Sequence, residues 1–78
     1  MNKRDSIEIE RQILGIAREG CRKSRIVYQA NLNFRIVKGY ISRLQNRGLL
    51  EIDNKIFKTT EKGEEFVKDF DALIENFK

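Results

Sequence analysis

The sequence predicts a mainly α-helical domain carrying one small β-hairpin, in the order α-β-α-α-β-β-α. Three observations predict it. Apolar residues recur at helical spacing in four separate stretches. Five glycines and no proline punctuate the chain, so its breaks fall at glycine and asparagine. Two β-like runs, 49-LLEI-52 and 55-KIFK-58, flank Asp53-Asn54, a short hairpin signal. A chain of 78 residues has room for one domain, 1–78, with a modest core. A core of that size gives marginal stability, which makes oligomerisation an expected second source.

The elements follow in order. Asp5 or Ser6 caps a first helix, with Glu8 early in it where the helix dipole favours an acid. Ile9, Ile13, Ile16 and Ala17 form its apolar stripe, and Gly20 ends it. Residues 21–23, Cys-Arg-Lys, form a brief edge strand. Ser24 caps a short second helix reaching Ala30, with Ile26, Val27 and Ala30 inward. Tyr28 points outward on it and is expected to be a partly buried edge residue. Asn31-Leu32-Asn33 is a turn in which Leu32 enters the core and Asn33 caps the next helix. That third helix spans 34–47. On a 100° wheel Val37, Ile41 and Leu44 share one narrow sector, flanked by Phe34 and Tyr40. Arg35, Lys38, Gly39, Ser42, Arg43 and Asn46 lie opposite. Gly48 stops it, the hairpin follows, and Thr59 or Thr60 caps a last helix with Glu61 in its first turn. Two helices joined by a three-residue turn make a helix-turn-helix, and a hairpin directly after them makes a wing.

Charge is distributed unevenly. Between Arg18 and Arg47 there are eight basic residues (Arg18, Arg22, Lys23, Arg25, Arg35, Lys38, Arg43, Arg47) and one acid, Glu19. That stretch carries +7 and the remainder −3, within a chain of net charge +4. A basic block beside an acidic remainder is the electrostatic footprint of a nucleic-acid binder. An α-helix fits the major groove of B-DNA, and the first turns of a recognition helix contact base edges. The expected partner is therefore double-stranded DNA, with helix 34–47 in its major groove. Arg35 and Lys38 are the candidates for base contact, Ser42 lies on the same face, and Asn33 can bond a base or a phosphate. Arg22, Lys23 and Arg25 at the start of the second helix meet backbone phosphates, as does Arg43 farther along the third. Arg47 either does the same or offsets the dipole at the helix C-terminus. Lys55 and Lys58, in the hairpin, can touch a phosphate or the minor groove, and for Tyr28 a hydrogen bond to a phosphate is the alternative to an edge position. Gly39 would permit close approach of a sugar-phosphate strand.

The segments 32-LNFRIVKGYISRLQNRGLLEI-52 and 57-FKTTEKGEEFV-67 resemble the winged helix-turn-helix domains of archaeal transcriptional regulators and, more distantly, MarR-type regulators. The matching pieces are the capped third helix, its exit through Leu44, Gly48, Leu49 and Leu50, and the Thr60-to-Gly63 entry to the last helix. Cys21 to Tyr28 also resembles the opening of the second helix in the archaeal group. The resemblance covers about residues 6 to 68. It implies a DNA-binding core over 6–60 and a C-terminal helix over 61–78. In that last helix Phe66, Phe70, Leu73 and Phe77 follow at spacings of four, three and four, widened by Val67 and Ile74. Phe66 and Val67 suffice to pack it on the domain. Phe70, Leu73, Ile74 and Phe77 extend the stripe almost to the last residue, as an interface would. The expectation is a homodimer through an antiparallel coiled coil, which small archaeal chromatin proteins of winged-helix type also form. The alternative is a stripe folded back on the first helix.

Other classes are disfavoured by composition. There is no His, and the single cysteine, Cys21, has no His to act as its base. No paired-carboxylate or metal-ligand pattern is present, so no enzyme activity, metal or cofactor is expected. Cys21 is expected to be a small half-buried residue, although Arg22 and Lys23 favour its thiolate. The N-terminus lacks an apolar run and no stretch has the roughly 20 apolar residues of a membrane span. A cytoplasmic, nucleoid-associated protein is expected. Two readings compete with a regulator: an architectural, chromatin-like DNA binder, and a winged-helix protein-interaction module, which would leave the +7 segment unexplained. RNA binding ranks lower, because most aromatic residues sit at core or dimer positions.

Overall fold

The computed structural model describes residues 5–76. Four helices and one hairpin follow in the expected order, without the short strand expected between the first two helices: α1 Ser6–Ile16, α2 Lys23–Ala30, α3 Phe34–Asn46, β1 Leu50–Asp53, β2 Ile56–Thr59 and α4 Glu61–Glu75. Ile9, Ile13, Leu14, Ala17, Cys21, Ile26, Val37, Ile41, Leu44, Leu49, Leu50 and Phe57 form one buried cluster. Every helix contributes through its apolar stripe, and α4 reaches the cluster through Phe66 and Val67. Leu14 is fully buried although it lies outside the stripe expected for the first helix.

The helix ends explain where the elements stop. Asp5 and Glu8 form a reciprocal capping box at the start of α1. The helix ends at Ile16 rather than at Gly20. The Ala17 carbonyl instead accepts bonds from the Gly20 and Thr59 amides, both at 3.0 Å, which diverts the chain toward the hairpin. Residues 21–23 do not form a strand. Only Cys21 pairs, its amide and carbonyl bonded to Phe57 at 2.9 and 2.7 Å. Cys21 is 6% exposed, more deeply placed than the half-buried site expected for it. Arg22, in extended conformation, is the N-cap of α2, and Ser24 lies within its first turn. The strand-like tie at Cys21 decides where the chain turns into helix and overrides the better capping side chain.

Asn31, in left-handed conformation at φ 57°, closes α2. The Asn33 carboxamide oxygen accepts the Ile36 amide at 2.8 Å and caps α3. At the other end of α3 the Gly48 amide bonds the Gln45 carbonyl and the Leu49 amide bonds the Leu44 carbonyl. These two bonds make a Schellman closure, with Gly48 at φ 75°. The turn of the hairpin is one residue later than Asp53-Asn54. Asp53 pairs with Ile56, and the two turn residues are Asn54 and Lys55 at φ 51° and 69°. Leu50, Phe57 and Thr59 must face the core together, and that requirement sets the register.

Thr60 joins the hairpin to α4. Its hydroxyl donates to the Gly48 carbonyl at 2.6 Å and accepts the Gly63 amide at 3.0 Å. Gly63 packs against the Leu49 carbonyl so closely that a Cβ would collide with it. The second half of α4 runs beside α1, where Arg11 grips Asp71 through two bonds of 3.0 and 2.9 Å.

Candidate nucleic-acid interface

The face of α3 away from the core is built as the wheel requires. Val37 and Leu44 are fully buried and Ile41 nearly so, which fixes the helix rotation. Arg35, Lys38, Gly39, Ser42, Arg43 and Asn46 are exposed. No carboxylate occurs between Gly20 and Leu50, so nothing on α2 or α3 neutralises this charge. The oxygen of Asn33 is committed to the cap, which leaves its amide nitrogen as the group free to donate. The Arg43 guanidinium lies 4.6 Å from the centre of the Tyr40 ring, held to one side of the outward face.

A second group of cations meets at the start of α2. Arg22, Lys23, Ser24 and Lys55 line a crevice floored by Ile52 and Phe57. Three of these residues come from the α2 terminus and three from the hairpin, and Ser24, which the sequence marks only as a capping residue, is one of them. No side chain caps α2, so the crevice sits at an uncapped helix N-terminus, where an anion is favoured. Lys55 occupies a left-handed position, φ 69°, that glycine normally fills in such turns. An L-residue held there costs roughly 1–2 kcal/mol. Strain of that kind gathers where a side chain has a task.

The structure also separates the basic residues into two classes. Three arginines form ion pairs: Arg11 with Asp71, Arg18 with Glu64 and Arg47 with Glu10. Arg22, Lys23, Arg25, Arg35, Lys38, Arg43 and Lys55 form none among the described residues, and neither do Lys58 on β2 or Lys62 and Lys68 on α4. Arg47 thus has a structural position: its guanidinium bonds Glu10 at 3.0 Å and lies 5.4 Å from the Phe66 ring. Glu10 is 7% exposed, a buried acid that the apolar stripe of α1 does not reveal. Tyr28 is 86% exposed and not a partly buried edge residue. Burial raises the Cys21 thiol above its usual pKa, against a smaller opposing pull from Arg25.

A larger groove lies between α1 and α4, lined by Arg11, Arg18, Glu64, Lys68 and Asp71 among others. Its charges are mixed and largely paired, so it offers a polyanion no excess. On α4, Phe70 is half-buried while Leu73 and Ile74 are 55% and 43% exposed. Phe77 lies outside the described residues. Among the described residues no group of three or more His, Cys, Asp or Glu side chains is placed to hold a metal ion, and no helix is long and apolar enough to cross a membrane.

Three comparisons bear on this arrangement. A family model described as winged helix-turn-helix matches residues 3–78. An uncharacterised protein of Methanocaldococcus jannaschii is 35% identical over 74 residues, covering 94% of this chain and 76% of the relative. Among solved structures, Sso10a-2, a DNA-binding protein from Sulfolobus solfataricus, superposes with a TM-score of 0.77 at 29% identity, over 95% of this chain and 85% of its own. BpsR of Bordetella bronchiseptica, whose DNA binding is regulated by 6-hydroxynicotinic acid, gives 0.78 at 22% identity, over 87% of this chain and 54% of its own. At that identity the likeness concerns the fold alone.

Proposed function

The chain belongs to the winged helix-turn-helix family, and on that premise we propose that it binds double-stranded DNA as a homodimeric transcriptional regulator. The observation that carries this reading is the segregation of unpaired cations. Seven basic side chains at α2, α3 and the hairpin turn have no ion-pair partner among the described residues, and α2 and α3 carry no carboxylate at all, whereas the unpaired lysines of α4, Lys62 and Lys68, lie among glutamates and aspartates. A solvated decorative surface would intersperse the two signs. Binding rather than catalysis is also in keeping with the family and with Sso10a-2, a DNA-binding protein of the same fold.

In this reading α3 lies in the major groove. Arg35 and Lys38 reach base edges, Ser42 and the amide nitrogen of Asn33 add hydrogen bonds, and Arg43 meets a phosphate. Arg22, Lys23 and Lys55 clamp one phosphate at the α2 terminus, and Arg25 meets the next. Residues 6–60 are the DNA-binding core, and 61–78 pair with a second copy through Phe70, Leu73, Ile74 and Phe77. Two-fold symmetry then presents two α3 helices to one duplex. The site of action is the nucleoid.

The test is titration of short duplexes at two salt concentrations. Lys23→Ala weakens binding to all sequences alike and lowers the salt slope by about 0.9. Arg35→Ala relaxes discrimination between sequences. Equal small effects of both would sink these roles, and no complex even at low salt would sink the reading. The hairpin turn is only two residues long, which favours a second reading, an architectural binder with little sequence preference; a specific-to-random affinity ratio near one would establish it. Sedimentation at micromolar concentration tests the dimer, and a 9.2 kDa species would exclude it.

A further inference from the structure

Gly39 is the glycine that the fold itself does not require. Of the five glycines, Gly20 and Gly48 hold left-handed backbone at φ 94° and 75°. A Cβ on Gly63 would strike the Leu49 carbonyl and come within 2.7 Å of Thr59. A Cβ on Gly15 would come within 2.8 Å of the Arg11 guanidinium, the movable end of a long side chain that would have to shift while it grips Asp71. Gly39 differs from all four. It lies in the middle of α3, and a Cβ placed there meets nothing within 4 Å. Glycine is the poorest helix former after proline, so the chain carries a local weakness at this position without a reason inside the fold.

The surroundings of Gly39 suggest an external reason. Side chains four residues apart lie in one row along a helix, so Gly39 sits between Arg35 and Arg43. Both are exposed, and neither has an ion-pair partner among the described residues. The Arg43 guanidinium is drawn aside over Tyr40, which keeps the space above Gly39 open. Ser42, one turn on, adds a hydroxyl at its edge. The result is a notch with bare helix backbone as its floor and a cation at each end.

We infer that a sugar-phosphate strand of duplex DNA crosses α3 at Gly39, seated against the helix backbone. Arg43 takes a phosphate at one end of the notch, and Arg35 extends from the other end toward the bases. The inference rests on the DNA-binding reading and adds the place and class of the closest contact. Because the contact is to the strand, it is independent of sequence.

The test uses opposed signs. Gly39→Ala raises the melting temperature by about 4–8 °C, because alanine is the better helix former. The same change lowers duplex affinity on the order of tenfold, since an added methyl meets a filled contact. Gly39→Leu lowers it further. Both losses are the same on A·T-rich and G·C-rich duplexes. A Gly39→Ala protein that binds as tightly as the parent overturns the inference, as does one that melts lower or loses affinity on only one class of sequence. A parent protein that binds no duplex sinks the DNA reading itself, so the two failures are distinct.

Discussion

Removal of the Arg47 side chain separates a structural arginine from a DNA-binding one. Arg47 ends α3, bonds Glu10 of α1 at 3.0 Å, and lies 5.4 Å from the Phe66 ring of α4. One guanidinium therefore ties three helices together. Glu10 is only 9% exposed at its side chain and Arg47 is 47% exposed. Breaking a fully buried pair costs roughly 3–5 kcal/mol, and losing an exposed one costs about 0–1. With one partner half in water, Arg47→Ala falls between these limits, at roughly 1–2 kcal/mol. The ring contact adds about 0.5. The sum, about 2 kcal/mol, corresponds to a melting temperature lower by roughly 8–16 °C in a domain this small. Urea denaturation followed by circular dichroism measures it. In a Glu10→Gln background the same change costs less, because no charge is left stranded. Where both proteins are folded, duplex affinity stays within about twofold. A variant as stable as the parent, with weakened DNA binding, would refute the assignment and return Arg47 to the phosphate contacts.

Three further perturbations test other parts of the structure. Lys55→Gly relieves a left-handed lysine and stabilises the fold by roughly 0.5–1 kcal/mol once glycine's unfolded-state freedom is set against it; it also lowers the salt slope of DNA binding by about 0.9. An unchanged slope would remove Lys55 from the crevice contacts. Gly63→Ala drives a methyl into the Leu49 carbonyl and destabilises by about 3 kcal/mol or more, read as a collapse of the urea midpoint. A neutral Gly63→Ala would show that α4 does not enter the domain as described. The third concerns acid. The hydrogen-bonded Arg11 guanidinium holds the Asp71 carboxyl below its usual range. The pair therefore stabilises the fold above the unfolded carboxylate pKa near 3.9 and is lost as pH falls through the lower folded value. Both partners are well exposed, so the effect is under about 1 kcal/mol. Asp71→Asn removes that part of the acid sensitivity below about pH 4 and leaves the neutral-pH midpoint little changed. A variant with the parent's full acid sensitivity would show that the pair contributes none of it.

Much of the fold was legible because local chemistry and tertiary need agree. Val37, Ile41 and Leu44 are inward both by period and by packing, and Asn33 and Thr60 cap by the rules that make them good caps. The sequence misled where a distant contact overrides a local preference. Ser24 is the better capping residue, yet Arg22 holds the position because Cys21 is pinned to Phe57, 36 residues away. The turn slid from Asp53-Asn54 to Asn54-Lys55 for a similar reason, since the face of Phe57 is set by the core and not by the turn. At the site, the outward face of α3 was readable from its period. The clustering of Arg22, Lys23 and Lys55 was not, because it depends on how the hairpin lies against α2. Glu10 was invisible for the same reason: its partner comes from another helix.

Cys21 gives the molecule a built-in reporter. Its backbone is stitched to Phe57 by two bonds and its sulfur is enclosed in the core. An alkylating reagent reaches that sulfur only after the packing at this Cys21–Phe57 junction opens, and there is no second thiol in the chain to confuse the signal. The labelling rate therefore counts how often this junction breathes. Because the junction also builds the basic crevice, a bound duplex that bridges its two sides slows the labelling.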